Sequence, residues 1–72
     1  MAMLPQTAER LAQLGAHLEI DVDTKFLPQT VETLVKLARA SGGRVTIHAS
    51  NYLPQTLERL ATIGGASLTI RI

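Results

Sequence analysis

Cysteine is absent from this 72-residue sequence, and only Phe26 and Tyr52 are aromatic. Without cysteine the chain can form no disulfide framework and no thiolate zinc site, which fits a reducing cytoplasm. Because aromatic residues are so few, the core has to be aliphatic. An excess of one charge is also missing, since seven basic and six acidic residues leave a net charge of +1. This balance argues against a nucleic-acid or membrane surface.

Long apolar runs are missing as well. None approaches the roughly 20 residues that a membrane-spanning helix needs. The first residues, Met1-Ala2-Met3, lack the charged start and apolar stretch of a signal peptide. A chain of this length forms one domain at most, near the size at which a single core is only marginally stable. We therefore expect one soluble, cytoplasmic domain that spans residues 1–72.

One tetrapeptide, Leu-Pro-Gln-Thr, occurs three times. It begins at Leu4, Leu27 and Leu53, so its copies start 23 and 26 residues apart, a period typical of solenoid repeats. Proline is favoured in the first position of a helix. Glycines suited to a left-handed helix end follow in each case, at Gly15, Gly42-Gly43 and Gly64-Gly65. The tetrapeptide thus predicts three helix starts, in repeats of about 4–26, 27–52 and 53–72. Recent duplication, deliberate design or stacked Gln contacts would each explain its identical Gln and Thr.

The hydrophobic period changes in the same way within each repeat. Apolar residues first recur at the spacing of an amphipathic helix, in the aligned sets Ala8/Val31/Leu57, Leu11/Leu34/Leu60, Ala12/Val35/Ala61 and Leu14/Leu37/Ile63. They then alternate with polar residues, as in a half-buried strand, in the sets Leu18/Ile20/Val22, Val45/Ile47/Ala49 and Leu68/Ile70/Ile72. The order is therefore αβαβαβ. Helices are predicted near 5–14, 28–40 and 54–63, and strands near 17–22, 44–49 and 67–72.

This order predicts the fold class. Strands joined through helices run parallel, and such crossovers share one hand. If the strand order is 1-2-3, all three helices then lie on one face of the sheet. A parallel sheet covered on both faces has continuous apolar strands, whereas these strands alternate. The sequence therefore predicts an α/β fold with a three-stranded parallel sheet, helices on one face and an open polar face.

The pattern Val45-x-Ile47 and Leu68-x-Ile70, in repeats of this length, resembles the leucine-rich repeat family. The resemblance covers all three repeats and concerns the architecture. The family places Asn three residues after its last Leu, where the second repeat has Ser50. What the resemblance implies is a solenoid that binds a protein partner on the open sheet face.

The predicted open face carries the candidate interaction residues Glu19, Asp21, Arg44, Thr46, His48, Thr69 and Arg71. Asp21, His48 and Ser50 have the residue types of a hydrolase triad. However, Ser50 lies two residues along the same strand, about 7 Å away, without a strained nucleophile turn or an oxyanion hole. His17, Glu19, Asp21 and His48 are possible metal ligands, but neighbours on a flat strand face converge poorly on a tetrahedral ion. The simplest interpretation is a solvated row of cross-strand pairs.

We therefore expect a non-catalytic interaction or self-assembling repeat module without a cofactor or metal. The alternatives are a small hydrolase or metal-dependent enzyme using the Asp21, His48 and Ser50 row, and a designed or minimised repeat fragment without a function of its own. Nucleic acid and membranes are not expected partners.

The expected partner is a second copy of the chain. The third strand has an apolar edge, formed by Leu68, Ile70 and Ile72, that invites another strand. An antiparallel two-fold dimer through this edge is favoured, because closed two-fold dimers are the commonest symmetric oligomers. Stacking of the third strand on the first strand of the next copy is the rival arrangement, and it would bring Arg71 beside Asp21 of that copy.

Overall fold

The structure, a computed structural model, describes residues 4–24 and 26–72. Three α-helices alternate with three strands, which confirms the predicted order. The elements are α1 (Pro5–Gln13), β1 (His17–Glu19), α2 (Pro28–Ser41), β2 (Arg44–His48), α3 (Pro54–Gly64) and β3 (Leu68–Arg71), with 3₁₀ turns at Ala49–Asn51 and Gly65–Ser67. Each helix and the strand that follows it are called a helix–strand unit below.

Each helix begins at the proline of the repeated tetrapeptide, as predicted. The leucine before it is extended, and its backbone carbonyl accepts the first helical hydrogen bond; these bonds run from Ala8 to Leu4 (3.1 Å), from Val31 to Leu27 (3.1 Å) and from Leu57 to Leu53 (3.0 Å). None of the three leucines can cap its helix through a side chain. Proline therefore starts the helix, because its φ is already helical and its missing N–H needs no partner.

Two of the helix ends follow the prediction. Gly15 and Gly42 both have φ of +84°, a conformation that residues other than glycine rarely adopt. The third end differs, because Gly64 still belongs to α3 and Gly65 combines φ of +54° with ψ of −125°. Gly65 therefore opens the 3₁₀ turn that leads into β3 and does not form a left-handed helix cap.

The sheet is parallel with the order β1-β2-β3, and the helices cover one of its faces. Leu18 lies opposite Val45, which lies opposite Leu68, so equivalent residues of the three units are neighbours in the sheet. In β2 the alternation is complete: Val45 and Ile47 are fully buried, while Arg44, Thr46 and His48 reach the open face. This confirms the predicted fold class and its one-sided sheet.

The first strand is shorter than predicted. It ends at Glu19, although the backbone N–H of Ile20 still donates to the Thr46 carbonyl (2.9 Å). Asp21 instead begins a turn, closed by a hydrogen bond from the Thr24 N–H to the Asp21 carbonyl (3.0 Å). Aspartate favours turns because its side chain competes for nearby backbone N–H groups. Val22 is consequently 45% exposed and is not part of the predicted apolar strand face.

The core is aliphatic, as the composition predicts. Its buried members are Ala8, Ala12, Ile20, Val31, Leu34, Val35, Ala38, Val45, Ile47 and Leu60. Two of the predicted helix positions are exposed: Leu14 by 78%, and Ala61 as well. Each lies on an outer helix, on the side where the described part of the chain provides no further helix. The residues equivalent to Leu14 in the other units, Leu37 and Ile63, are half-buried.

Candidate interaction surface

The open face of the sheet holds six of the seven predicted interaction residues on its strands. Thr46 and His48, on the central strand, are half-buried; Glu19, Arg44, Thr69 and Arg71 are exposed. Asp21 is not among them, because β1 ends two residues earlier. The predicted row of Asp21, His48 and Arg71 therefore keeps only its second pair, in which His48 lies opposite Arg71.

A carboxylate does reach Arg71, but it belongs to Glu19. The Nη2 atom of Arg71 donates to Oε1 of Glu19 over 3.2 Å, and both side chains are more than half exposed. Glu19 is on β1 and Arg71 on β3, so this ion pair links the two outer strands. One solvated ion pair thus lies on the open face, between side chains that the sequence places on β1 and β3.

The residues of the candidate triad lie in three different elements. Asp21 begins a turn, His48 ends β2, and Ser50 belongs to the following 3₁₀ turn and not to the strand. Within residues 4–24 and 26–72, no hydrogen bond joins any two of their side chains. A nucleophile, its base and an orienting acid need such contacts, so the geometry gives the triad no support.

The metal alternative finds no geometric support in the part of the chain that the structure describes. There, no three His, Asp or Glu side chains come close enough together to hold a metal ion. The candidate ligands His17, Glu19 and His48 lie on neighbouring strands with the side chains spread along the open face. Glu19 is moreover engaged by Arg71.

A small cavity lies between α1 and β1. Its volume is about 160 Å³, and its lining includes the apolar residues Ala8, Leu18 and Ile20 and the acidic residues Glu19 and Asp21. Ligand pockets in proteins are usually larger, about 300–1,000 Å³. Ala8 is the smallest residue of its aligned set, whose other members are Val31 and Leu57, so it fills less of this space than either of them would.

The helix layer contains an ion pair between units that the sequence pattern did not predict. Arg59 of α3 binds Glu32 of α2 through two hydrogen bonds, from Nε and from Nη2, each of 3.2 Å. Lys36 adds a second contact with Glu32 from one turn along α2, at 3.6 Å. The hydrogen bonds from Arg59 hold the pKa of Glu32 below its ordinary value. In the sequence, Glu32 is the fifth residue after Leu27 and Arg59 is the sixth after Leu53, and these adjoining repeat positions were the one signal for the pair. Only the packing of α2 on α3 shows that the two side chains meet.

Side-chain hydrogen bonds to backbone carbonyls also join neighbouring units. Ser41 donates to the Ala12 carbonyl (2.6 Å), and Arg39 donates to the Ile63 carbonyl (2.8 Å). Such bonds satisfy carbonyls near the ends of helices, where the helix itself supplies no donor. Neighbouring units are therefore joined by defined hydrogen bonds as well as by apolar packing.

The loop before α3 has its own contact with the loop before α2. The Tyr52 hydroxyl donates to the carbonyl of Phe26, its equivalent one unit earlier (3.2 Å). Burial raises the pKa of Tyr52, because the charged phenolate would lose solvation. The two aromatic residues thus lie at one position of successive units, and a polar bond joins them.

The outer edge of β3 presents unpaired backbone groups. Backbone groups alternate along a strand, and Thr46 directs its carbonyl toward β1, to the N–H of Ile20. The backbone N–H and C=O groups of Val45 and Ile47 therefore point toward β3. Their partners there are the backbone groups of Thr69 and Arg71. The N–H groups of Leu68 and Ile70 consequently point away from the sheet. Leu68 and Ile70 are half-buried, and Ile72, just beyond β3, is fully exposed.

No known protein family, curated protein or solved structure matches this chain. In residues 4–24 and 26–72, the longest helix has 14 residues, and none is long and apolar enough to cross a membrane. The function of the protein is therefore inferred from the surfaces just described.

Proposed function

We propose that this chain is a non-catalytic α/β repeat module that binds protein, and first of all further copies of itself. The observation that carries the proposal is the free edge of β3, where the N–H groups of Leu68 and Ile70 point away from the sheet. An uncovered strand edge is a template for another strand. Arg71 is the only charged residue on β3, and one charge is a weak barrier to pairing.

The open sheet face is proposed as a second surface, for a protein partner of mixed charge. Its exposed groups include the carboxylate of Glu19 and the guanidinium groups of Arg44 and Arg71. A polar face of this kind forms hydrogen bonds with a partner and fixes its orientation. The apolar edge of β3 provides the surface that is buried on binding. The likeness to leucine-rich repeats, which bind partners on such a face, agrees with this proposal.

We propose a cytoplasmic location on the basis of composition. A small domain that contains no cysteine gains nothing from an oxidising compartment. Neither surface requires a cofactor or a metal ion.

The proposal is tested by measuring the mass of the protein in solution with light scattering from low to high micromolar concentration. The Ile70→Pro variant removes an outward N–H without removing a bond between β2 and β3, so it should weaken association while the fold is kept. Ile70→Val is the matched control, because it retains the N–H and the apolar side chain. A protein that is monomeric throughout this range would overturn the proposal of self-association.

A further inference from the structure

We infer that the partner of this module is a second copy stacked head to tail, so that α3 and β3 of one copy pack on α1 and β1 of the next. This inference rests on the proposed function and specifies its partner and geometry. It starts from a simple property of the molecule. The contact between the second and third units is built from residues whose equivalents on the outer sides of α1 and α3 have no such partner within residues 4–24 and 26–72.

The first such residues are charged. In the contact between α2 and α3, Glu32 is the fifth residue after Leu27, and Arg59 is the sixth after Leu53. Glu58 is the fifth residue after Leu53, and Arg10 is the sixth after Leu4. If α1 of the next copy packs on α3 as α3 packs on α2, Glu58 meets Arg10 of that copy. The same bidentate pair is then formed again.

The N-terminal end face offers a groove for this contact. We use this name for the outer side of α1, where Gln6, Thr7, Arg10, Leu11 and Leu14 line a depression of about 300 Å³. Leu14 is 78% exposed there, and it is the most exposed member of its aligned set. Leu37 and Ile63 are half-buried because each has a preceding helix to pack on. A helix on the N-terminal end face would place Leu14 in the same environment.

The C-terminal end face carries the residues that match this groove. It is the outer side of α3, and it includes Glu58 and Ala61. Ala61 is exposed, whereas the equivalent residues Ala12 and Val35 are fully buried because a following helix covers them. A small residue at this position lets the next helix approach closely. The two end faces are therefore the two halves of one helix–helix contact that occurs twice within the chain.

The strand layer fits the same arrangement. The N–H of Ile20 bonds to β2, so alternation turns the backbone groups of His17 and Glu19 to the outer edge of β1. These groups are the acceptors and donors that the outward groups of Leu68 and Ile70 need. The register found inside the chain then continues, with Leu68 opposite Leu18 of the next copy.

The continued register also has favourable charges. It brings Arg71 diagonally beside Glu19 of the next copy. Within one chain, Arg71 has to reach across β2 to find Glu19. In the stack, the Glu19 carboxylate of the next copy lies on the adjacent strand. Electrostatic complementarity of this kind fixes the register of an association.

An antiparallel β3–β3 dimer is the competing arrangement. It would pair the β3 edges, but it would leave Arg10 and Leu14 of the N-terminal end face in solvent in both copies. A head-to-tail contact covers both end faces, and it is heterologous, so it continues beyond two copies until a ring closes or a filament forms. The two arrangements therefore differ in the expected mass and in the residues on which assembly depends.

The experiment uses two charge reversals, Arg10→Glu and Glu58→Arg, and measures oligomer mass by sedimentation velocity. The first variant alone places two carboxylates across the contact, and the second alone places two guanidinium groups there. Each should therefore associate about tenfold more weakly than the unmodified protein. An equimolar mixture of the two variants allows contacts in which both reversed residues meet and opposite charges are restored. The mixture should therefore assemble to within about threefold of the unmodified protein, by the same reasoning.

Two further variants complete the test. Lys36→Glu reverses an exposed charge on the central helix, away from both end faces, and should leave the assembly unchanged. Leu14→Glu places a charge in the groove at a position that is 78% exposed in the single chain, so it should fold and fail to assemble.

The possible results separate the two proposals. A dimeric mass that Ile70→Pro lowers and that Arg10→Glu, Glu58→Arg and Leu14→Glu leave intact would reject head-to-tail stacking and keep self-association through β3. A mixture of the two charge reversals that assembles no better than either variant alone would also reject the stacking. A monomeric protein at high micromolar concentration would reject both the proposed self-association and this inference.

Discussion

Arg71 and Glu19 form an ion pair between strands that are not neighbours. Arg71 Nη2 lies 3.2 Å from Glu19 Oε1, although β2 separates the two strands. In the register of the sheet, Glu19 lies opposite Thr46, and Thr46 lies opposite Thr69. Arg71 itself lies opposite His48, so its long side chain crosses the central strand diagonally to reach Glu19. The ion pair therefore forms only when β1 and β3 are assembled on either side of β2.

We expect this ion pair to contribute little to stability. The two side chains are 59% and 57% exposed, and exposed pairs are worth about 0–1 kcal/mol. A double-mutant cycle with Arg71→Ala and Glu19→Ala, measured by urea unfolding, should give a coupling free energy below about 1 kcal/mol that decreases in high salt. A coupling above about 2 kcal/mol would mean that the pair organises the open face.

The central helix should carry a large share of the stability. Leu34 of α2 is fully buried, so Leu34→Ala should lower the free energy of unfolding by about 2–5 kcal/mol. Leu14→Ala is the matched control: the same change, at a position that is 78% exposed, should cost less than about 0.5 kcal/mol. Urea melts at a concentration where the protein is monomeric measure both values. Equal costs would contradict the packing described.

At Gly64, α3 lies close against Val35 and Leu68. A Cβ atom added there would overlap Cγ1 of Val35 and lie 3.0 Å from Cβ of Leu68. Gly64→Ala should therefore lower stability by about 1–3 kcal/mol, although alanine is the better helix former. In a Val35→Ala background the added methyl group has room, so the cost of Gly64→Ala should largely disappear. Urea melts of the four proteins in this cycle test the overlap directly.

The stability of the protein should decrease in acid partly through Glu32. Its pKa is lowered chiefly by the hydrogen bonds from Arg59, so its contribution is fully present above its ordinary pKa of 4.5 and is lost as the pH falls through the lower folded value. An NMR titration should find that Arg59→Ala raises the pKa of Glu32. Arg59→Lys keeps the charge but not the two-bond geometry, so it should raise the pKa by less. An unchanged pKa in both variants would show that the pair does not persist in solution.

The fold could be predicted from the sequence because its signals are local and occur three times. Pro5, Pro28 and Pro54 mark the helix starts to the residue. The change from a helical period to an alternating one separates each helix from its strand, and parallel pairing follows from the order of elements. Strand ends were less predictable: a turn beginning at Asp21 ended β1 early, and a 3₁₀ turn took Ser50 out of the strand face.

The candidate site was predictable only in outline. The open polar face could be predicted from alternation, and six of its seven predicted residues lie on the strands. The partner of Arg71 could not be predicted, because the length and direction of the Arg71 side chain decide whether it reaches the adjacent strand or the strand beyond. The pairing of Arg59 with Glu32 was missed for a similar reason: the two residues are 27 positions apart and meet only through the packing of α2 on α3.

The order of elements, the parallel sheet and the side of each strand that faces the helices follow from the sequence alone, because periodicity and helix-start residues act within one unit. Which of several equivalent residues is buried depends on the packed molecule. Leu14, Leu37 and Ile63 occupy the same position in their helices, yet Leu14 alone is largely exposed. Burial requires a neighbouring helix, and the presence of that neighbour is not encoded in the local pattern of any unit.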